Sequence, residues 1–468
     1  YTLSLHDALP ILRIVYIRKF RRNPATYTRF GGGVYNSCVY SARKQNIRKF
    51  VNLRPRSENR YAISHFFLLF VYQTRIIRIY NAIMKYNFSM IYLDNAATGG
   101  FKPSAVTEAA INAIKYLNAN PGRSGHELAV KAQKAVYETR KAAADLFGAN
   151  LERVVFTQNC TAAINAAVYG LYERGGRVLT SVTEHNSVLR PLYDLESRNE
   201  IYLDFVKPSS ALSGVTAKDV EAALTPDTKL VVLSAASNVN GAPNDIVAVG
   251  RLLEKTNIKY IVDGAQAGGH VPLRIKNLRA DALCLAGHKG LCSIQGVGLL
   301  ILGDKAVIRP FIRGGTGSDS FNKDMPQDYP ERLEAGTLNL PAICSLKEGV
   351  KYVSSTLSYS AEKLSAVTDY LVSELSARPF LRVYSLPNPF GTVAFEHTEL
   401  PSQEIAARLS DDYAIAVRGG YHCAPLMHKF LGTEKFGLVR VSASPMNTRR
   451  EIKALITAID EISFAKDF

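Results

Sequence analysis

The sequence contains no Cys-x-x-Cys pair, and its six cysteines (38, 160, 284, 292, 344 and 423) follow no regular spacing. This excludes the common zinc-ribbon and dithiol redox motifs and argues against a disulfide framework in a chain of 468 residues. A reducing, cytoplasmic setting is the expectation. His422, Cys423 and His428 would need a second ligand cluster to hold zinc, and none with conventional spacing occurs. No metal is expected. Long apolar runs are also missing: the stretch at 66–72 is too short to span a bilayer and leads into Arg75 and Arg78, so no membrane role is expected. Internal repeats and low-complexity tracts are absent as well.

Acidic residues are scarce at one end only. Residues 1–90 hold sixteen Lys and Arg against Asp7 and Glu58, a net of +14 out of +16 for the chain. The remaining 378 residues carry +2, so the basic charge does not mark a nucleic-acid surface on the folded body. The same segment lacks an initiator Met and any sustained period, and it mixes RKFRR with FFLLFVY. Its opening, YTLSLHDALPI, is similar to translated adapter sequence. Residues 1–89 are expected to be a non-native or disordered leader, with the natural start at Met84 or Met90. A transit peptide is the alternative.

What remains is patterned. KPSAVTEAAINAIKYL and ELAVKAQKAVYETRKAAADLF have helical spacing, the first with Pro103 at the first helical position. RVVFT, RVLTSV, IYLDFV, KLVVLSAA, KYIVD, ALCLAG and VGLLIL are short runs rich in apolar and β-branched residues, several separated by helical stretches. That alternation predicts an α/β fold with a mostly parallel sheet covered on both faces. Beyond about residue 345, a long helical region leads to strand candidates RVYSL, TVAFEH, AIAVRGG and LVRVSA. The expected domains are 90–345, with 90–104 near the site, and a small α+β domain, 346–468, carrying the Cys423 loop.

In open α/β sheets ligands sit at the carboxyl ends of strands. KYIVDGAQ ends a buried strand in Asp263, either a helix cap or a carboxylate meeting a cation. ALCLAGHKG places Lys289 between glycines, either a loop lysine or an amine whose lowered pKa suits imine formation. TEHNS presents His185 after a strand, as a loop residue, a stacking ring or a proton carrier. TQNCTAAIN turns from a strand into a helix opening at Thr161, a plain cap or a phosphate seat. Together they describe what pyridoxal phosphate requires: a phosphate seat, a stacking ring, a carboxylate for a pyridinium nitrogen and a Schiff-base lysine.

With YLDNAAT (92–98), NPGRSGHELA (120–129), SNVNG (237–241), GGTGS (314–318), EAGTLN (334–339), GYHCAP and VRVSASPMNT (439–448), the chain resembles the cysteine desulfurases of the class-V aminotransferase superfamily. The resemblance covers about residues 91–463. It implies fold type I, with a seven-stranded large-domain sheet, and a homodimer that uses pyridoxal 5'-phosphate. Lys289 would form the Schiff base and act as base. Asp263 would keep the ring nitrogen protonated, and His185 would stack and shuttle protons. Asn238 and Gln266 would bond the phenolic oxygen side. Thr161 and His288 would hold the phosphate, with Thr337 contributed by a neighbouring subunit, and Cys160 would belong to the cofactor site. Arg440 and Asn95 would hold the substrate carboxylate, and Cys423 would take sulfur from L-cysteine as a persulfide, leaving alanine. Beside Cys423, His422 is a candidate aid to deprotonation. The implied role is sulfur supply, through an acceptor or scaffold protein, for iron–sulfur cluster or thio-cofactor synthesis. A selenocysteine lyase or another class-V aminotransferase is the alternative. Departures from the family pattern are Cys292-Ser293-Ile294 after the lysine and Ala162 after the threonine.

Overall fold

The computed structural model describes residues 90–464 apart from Asp319, so the expectations for residues 1–89 lie outside the described residues. The chain enters through a short strand, β1 (Ile91–Tyr92), and two helices, α1 (Ser104–Tyr116) and α2 (Glu127–Phe147). Pro103 stands at the N-cap position of α1, without a capping hydrogen bond, rather than at the first helical position. Then strands and helices alternate: β2 (Val154–Thr157), α3 (Cys160–Leu171), β3 (Arg177–Ser181), α4 (Asn186–Ser197), β4 (Tyr202–Val206) and α5 (Ala217–Ala223). The series continues with β5 (Thr228–Ser234), α6 (Ile246–Leu253), β6 (Lys259–Asp263), α7 (Ile275–Leu278), β7 (Ala282–Ala286) and β8 (Gly298–Leu302).

All seven apolar runs form strands of one sheet, in the order β2-β8-β7-β6-β5-β3-β4. Only β8 runs antiparallel to its neighbours. Period-two alternation splits each strand between two cores: Val231, Leu233, Leu283 and Leu285 on one face, Leu230, Val232, Cys284 and Ala286 on the other. Both faces are covered by helices, so the central strands β5, β6, β7 and β8 are mainly apolar between their ends. Burying each such aliphatic side chain stabilises by about 1.5–3 kcal/mol.

A 37-residue helix, α8 (Leu340–Ser376), follows. The boundary expected near residue 345 falls inside it. After α8 come β9 (Leu381–Val383), β10 (Thr392–His397), α9 (Ser402–Tyr413), β11 (Ile415–Ala416), β12 (Arg418–Gly420), α10 (Pro425–Leu431), β13 (Leu438–Ser442) and α11 (Arg449–Phe464). Strands β12-β13-β10-β9 form an antiparallel sheet with its own core under α8, α9 and α11. Strand β1 pairs in parallel with β11, and Asp94 bridges to Ser442 of β13. The start of the described chain is thereby stitched to its last strands. Among the described residues no helix is long and apolar enough to cross a membrane.

Candidate active site

The carboxyl ends of β3, β5, β6 and β7 open onto a cavity of about 230 Å³, closed from the other side by Arg418, His422 and Arg440. Lys289 stands in it, three residues past β7. The flanking glycines have a steric reason. A Cβ on Gly287 would lie 2.7 Å from the Val297 carbonyl oxygen, and one on Gly290 would lie 2.3 Å from that of Gly268. The lysine is thus gripped by close backbone packing on both sides. Burial lowers its pKa, and Asp263 opposes the shift. Among the described residues its ammonium makes no hydrogen bond.

Asp263 ends β6 and is 5 % exposed. Its Oδ1 accepts from the Ala265 amide (2.9 Å) and from the Cys160 thiol (3.5 Å), which leaves Oδ2 for the cavity. Burial raises its pKa, with the Ala265 bond and Lys289 pulling the other way. The Cys160 thiol is pushed well up by burial and by Asp263, so Cys160 acts as a donor and not as a nucleophile.

His185 is the N-cap of α4: its Nδ1 accepts from the Ser187 amide at 3.0 Å. An amide can only donate, so Nδ1 is unprotonated and the neutral ring carries its hydrogen on Nε2. Burial and nearby Lys289 hold its pKa down, to about 4. A chain of hydroxyls runs from Nδ1 through Ser187 Oγ (2.7 Å) to Thr161 Oγ1 (2.9 Å). Thr161 is free for this because Asn159 caps α3, accepting from the Ala162 amide.

Several expected residues turn out to have protein partners. Asn238 Nδ2 donates to the His422 carbonyl (2.7 Å), and Gln266 Nε2 donates to the Ala96 carbonyl (3.1 Å), while both side chains line the cavity. His288 Nδ1 meets Thr98 Oγ1 at 3.1 Å. Arg440, 1 % exposed, gives Nη2 to Asp94 (2.8 Å) and Nη1 to the Asn238 carbonyl (2.9 Å). Among the described residues its buried Nε has no hydrogen-bond partner. Asn95 lies outside this cavity, its amide donating to Ser442 and accepting from Gly100. It borders a second, smaller cavity of about 50 Å³ with Cys292, on the far side of Lys289. Thr337 lies apart too, on a surface cavity with Gln158 and Ala162.

Cys423 is exposed, between buried His422 and Ala424, on a turn whose backbone is left-handed at two successive residues, His422 (φ 49°) and Cys423 (φ 56°). Each non-glycine residue held there costs about 1–2 kcal/mol. Asn238 to the His422 carbonyl, and the Asn186 amide to the Cys423 carbonyl (2.7 Å), hold the turn in place. The side chain that touches the sulfur is Arg418, with Nη2 3.8 Å from Sγ. His422 instead turns inward: its Nε2 donates to the Leu438 carbonyl (3.0 Å), and burial drives its pKa well down. That geometry replaces the sequence reading of His422 as the group beside the thiol.

Sequence reasoning did not find Arg418, Ser187, Asp94 or Glu184. Asp94 lies within YLDNAAT and Glu184 within TEHNS, so both were inside quoted motifs without a role. Ser187 lies within TEHNS and Arg418 within AIAVRGG, likewise quoted without a role. Among the described residues no group of three or more His, Cys, Asp or Glu side chains is arranged to hold a metal ion.

The chain matches the class-V aminotransferase family over residues 91–455. It is 30% identical over 381 residues to a probable cysteine desulfurase of Methanothermobacter thermautotrophicus, covering 80% of this chain and 94% of that protein. It is 29% identical over 387 residues to a cysteine desulfurase of Escherichia coli, covering 80% and 93%. The apo structure of a cysteine desulfurase from Thermococcus onnurineus superposes with a TM-score of 0.73 at 29% identity, covering 80% of this chain and 94% of that one. The described fold, its strand-end cavity and these likenesses agree: the chain belongs to the class-V aminotransferase family and groups with its cysteine desulfurases.

Proposed function

We propose that this chain is a pyridoxal phosphate-dependent cysteine desulfurase, converting L-cysteine to L-alanine and carrying the sulfur on Cys423. The observation that supports it most is the pairing of two parts. A buried cavity joins an unbonded amine, Lys289, to a buried carboxylate, Asp263, and an exposed thiol stands on a turn tied to that cavity's wall.

The residues fit the cofactor. Lys289 would hold its aldehyde carbon, Asp263 Oδ2 its ring nitrogen, and Thr161 with the amino end of α3 and His288 its phosphate. His185 would lie along the ring, with Asn238 and Gln266 beside the phenolic oxygen. When bound, pyridoxal phosphate would supply an electron sink that stabilises negative charge on the substrate's carbons.

The chain's own groups do the rest. Arg440 offers its unpaired Nε edge to the substrate carboxylate, while Asp94 fixes the guanidinium plane. Lys289 Nζ, with its pKa lowered by burial, takes the proton from the substrate Cα. His185, neutral with its hydrogen on Nε2, can donate and recover a proton without becoming trapped as a cation. The Cys423 thiolate attacks the substrate sulfur. An S–S bond forms as the substrate's C–S bond breaks, and the bonding pair stays with carbon, which is protonated to alanine. Arg418 places a fixed positive charge beside the attacking sulfur.

A second copy of the chain completes the proposal, with Thr337 serving its neighbour's phosphate end, as does an acceptor protein that collects the persulfide sulfur for cluster or thio-cofactor synthesis. Because an exposed thiol has to stay reduced to act, a cytoplasmic setting belongs to the same reading. Incubating the purified protein with L-cysteine and a reductant tests it. Alanine and sulfide should appear in equal amounts and be lost together in Cys423→Ala. Turnover of another amino acid or of selenocysteine in place of cysteine, unaffected by Cys423→Ala, would replace it with an aminotransferase or lyase.

A further inference from the structure

Among the described residues Glu184 is the one acid at 0 % exposure at the strand ends, and the chemistry above does not use it. Strands β3 and β5 pair from Arg177–Thr228 to Thr180–Val232 and then part. The Glu184 carboxyl group fills the gap where they diverge. Ser181 Oγ donates to Oε1 at 2.6 Å, and the Ser234 amide donates to Oε1 and Oε2 at 3.1 and 3.0 Å. On its other edge Ser234 pairs with Asp263. One carboxyl group therefore links the end of β3, which carries the His185 turn, to β5 beside Asp263.

We propose that Glu184 is a positioning residue for His185, tying the turn that carries the imidazole to Ser234 so that the ring keeps its place over the cavity. This rests on the reading of His185 as the ring-stacking residue. A plain helix cap would need only the Ser187 amide, which His185 already has. The extra connection runs across strands and reaches the cavity wall, since Ser234 and His185 both line it.

The electrostatics agree with a neutral clamp. Around the carboxyl group stand Ser181 from the end of β3, whose hydroxyl also meets Thr183, Ser234 from β5, and Asp263 and Tyr260 from β6. Among the described residues no ion pair reaches it. Burial first, then Asp263, pushes its pKa up to about 8 against the pull of its hydrogen bonds. Near neutral pH it is mostly protonated and adds no second negative charge next to Asp263.

The test uses the full chain loaded with pyridoxal phosphate, as the parent, Glu184→Ala, Glu184→Gln, Ser181→Ala, His185→Ala and the Glu184→Ala/His185→Ala double variant. Visible circular dichroism of the bound cofactor and its affinity report the ring's surroundings, and kcat and KM for cysteine report turnover. Glu184→Ala should weaken the dichroism band and lower kcat roughly tenfold, leaving KM nearly unchanged, and Glu184→Gln should recover most of both. In the His185→Ala background, adding Glu184→Ala should change the band and kcat by less than about twofold, because coupled residues are not additive. If Glu184→Ala fails to fold, Ser181→Ala decides, with a smaller effect of the same kind that vanishes in the same background. An undiminished effect without the imidazole, or no effect with it, overturns the positioning role alone. A His185→Ala protein indistinguishable from the parent overturns the His185 reading as well.

Discussion

The cavity wall and the thiol turn are built on opposite terms. On the wall, Asp263, Asn238, Gln266 and His185 stand at ends of strands whose other residues are packed between two cores, and each has fixed partners. On the turn, Cys423 is exposed, its backbone is left-handed at two residues, and its sulfur has a single long contact to Arg418. The contrast follows from what each must do. A group that orients a cofactor gains from immobility, since misplacement costs rate. A sulfur that must meet substrate inside and an acceptor outside has to be reachable from both. The Asn238 and Asn186 bonds let the thiol be exposed without the turn being loose.

Breaking the wall should cost most. Lys289→Ala should reduce alanine formation on the order of 10³-fold or more, measured with L-cysteine under saturating conditions, because the amine both holds the cofactor and moves the proton. Breaking the turn by Cys423→Ala should lower turnover roughly 10²-fold while the protein still binds pyridoxal phosphate with parental affinity. That separation is what the comparison demands, since among the described residues the one hydrogen bond to the Cys423 sulfur comes from Arg418. Between the two regions, Arg440→Lys should raise KM for cysteine about tenfold with a smaller change in kcat, because an ammonium cannot hold Asp94, the Asn238 carbonyl and a carboxylate at once.

The smallest effect sharpens the picture of the wall. The pKa of Glu184 rises from the ordinary 4.5 to about 8 on folding, so the folded state holds a proton that the unfolded state releases between those values. Its stability is therefore favoured at low pH and falls as pH rises from about 4.5 to about 8. Glu184→Gln removes that loss. In thermal melts of the cofactor-free protein, the variant should exceed the parent by about a few degrees at pH 8 and by less at pH 5.

How much of this the sequence carried depended on whether the signal was local. The seven strands were legible because each is a short, largely apolar run, all but the edge strand β4 mostly buried, and each was found where its run lies, down to β6 ending on Asp263. Lys289, Asp263, His185 and Thr161 were legible for the same reason, since a polar residue at the end of such a run stands out. AIAVRGG, by contrast, divides into β11, which pairs with β1, and β12, which pairs with β13. No periodicity within seven residues encodes two different partners. The start of α8 at Leu340 was hidden because the apolar residues that open it also pack against the large sheet. Asp94 on Arg440 and Glu184 on Ser234 join residues 346 and 50 positions apart, so neither pairing leaves a mark in local spacing. Asn95 and Thr337 were named from resemblance. Within one chain the fold sets them outside the cavity that gathers the other residues.

The most direct measurement is to find the sulfur. After a single turnover with L-cysteine in the absence of reductant and acceptor, alkylation and peptide mass spectrometry should locate one additional sulfur atom on Cys423. None should be found on Cys160, Cys284, Cys292 or Cys344, and alanine should form in equal amount. An additional sulfur on Cys292, or alanine formed with no sulfur on any cysteine, would contradict the division of labour between a fixed wall and an exposed thiol.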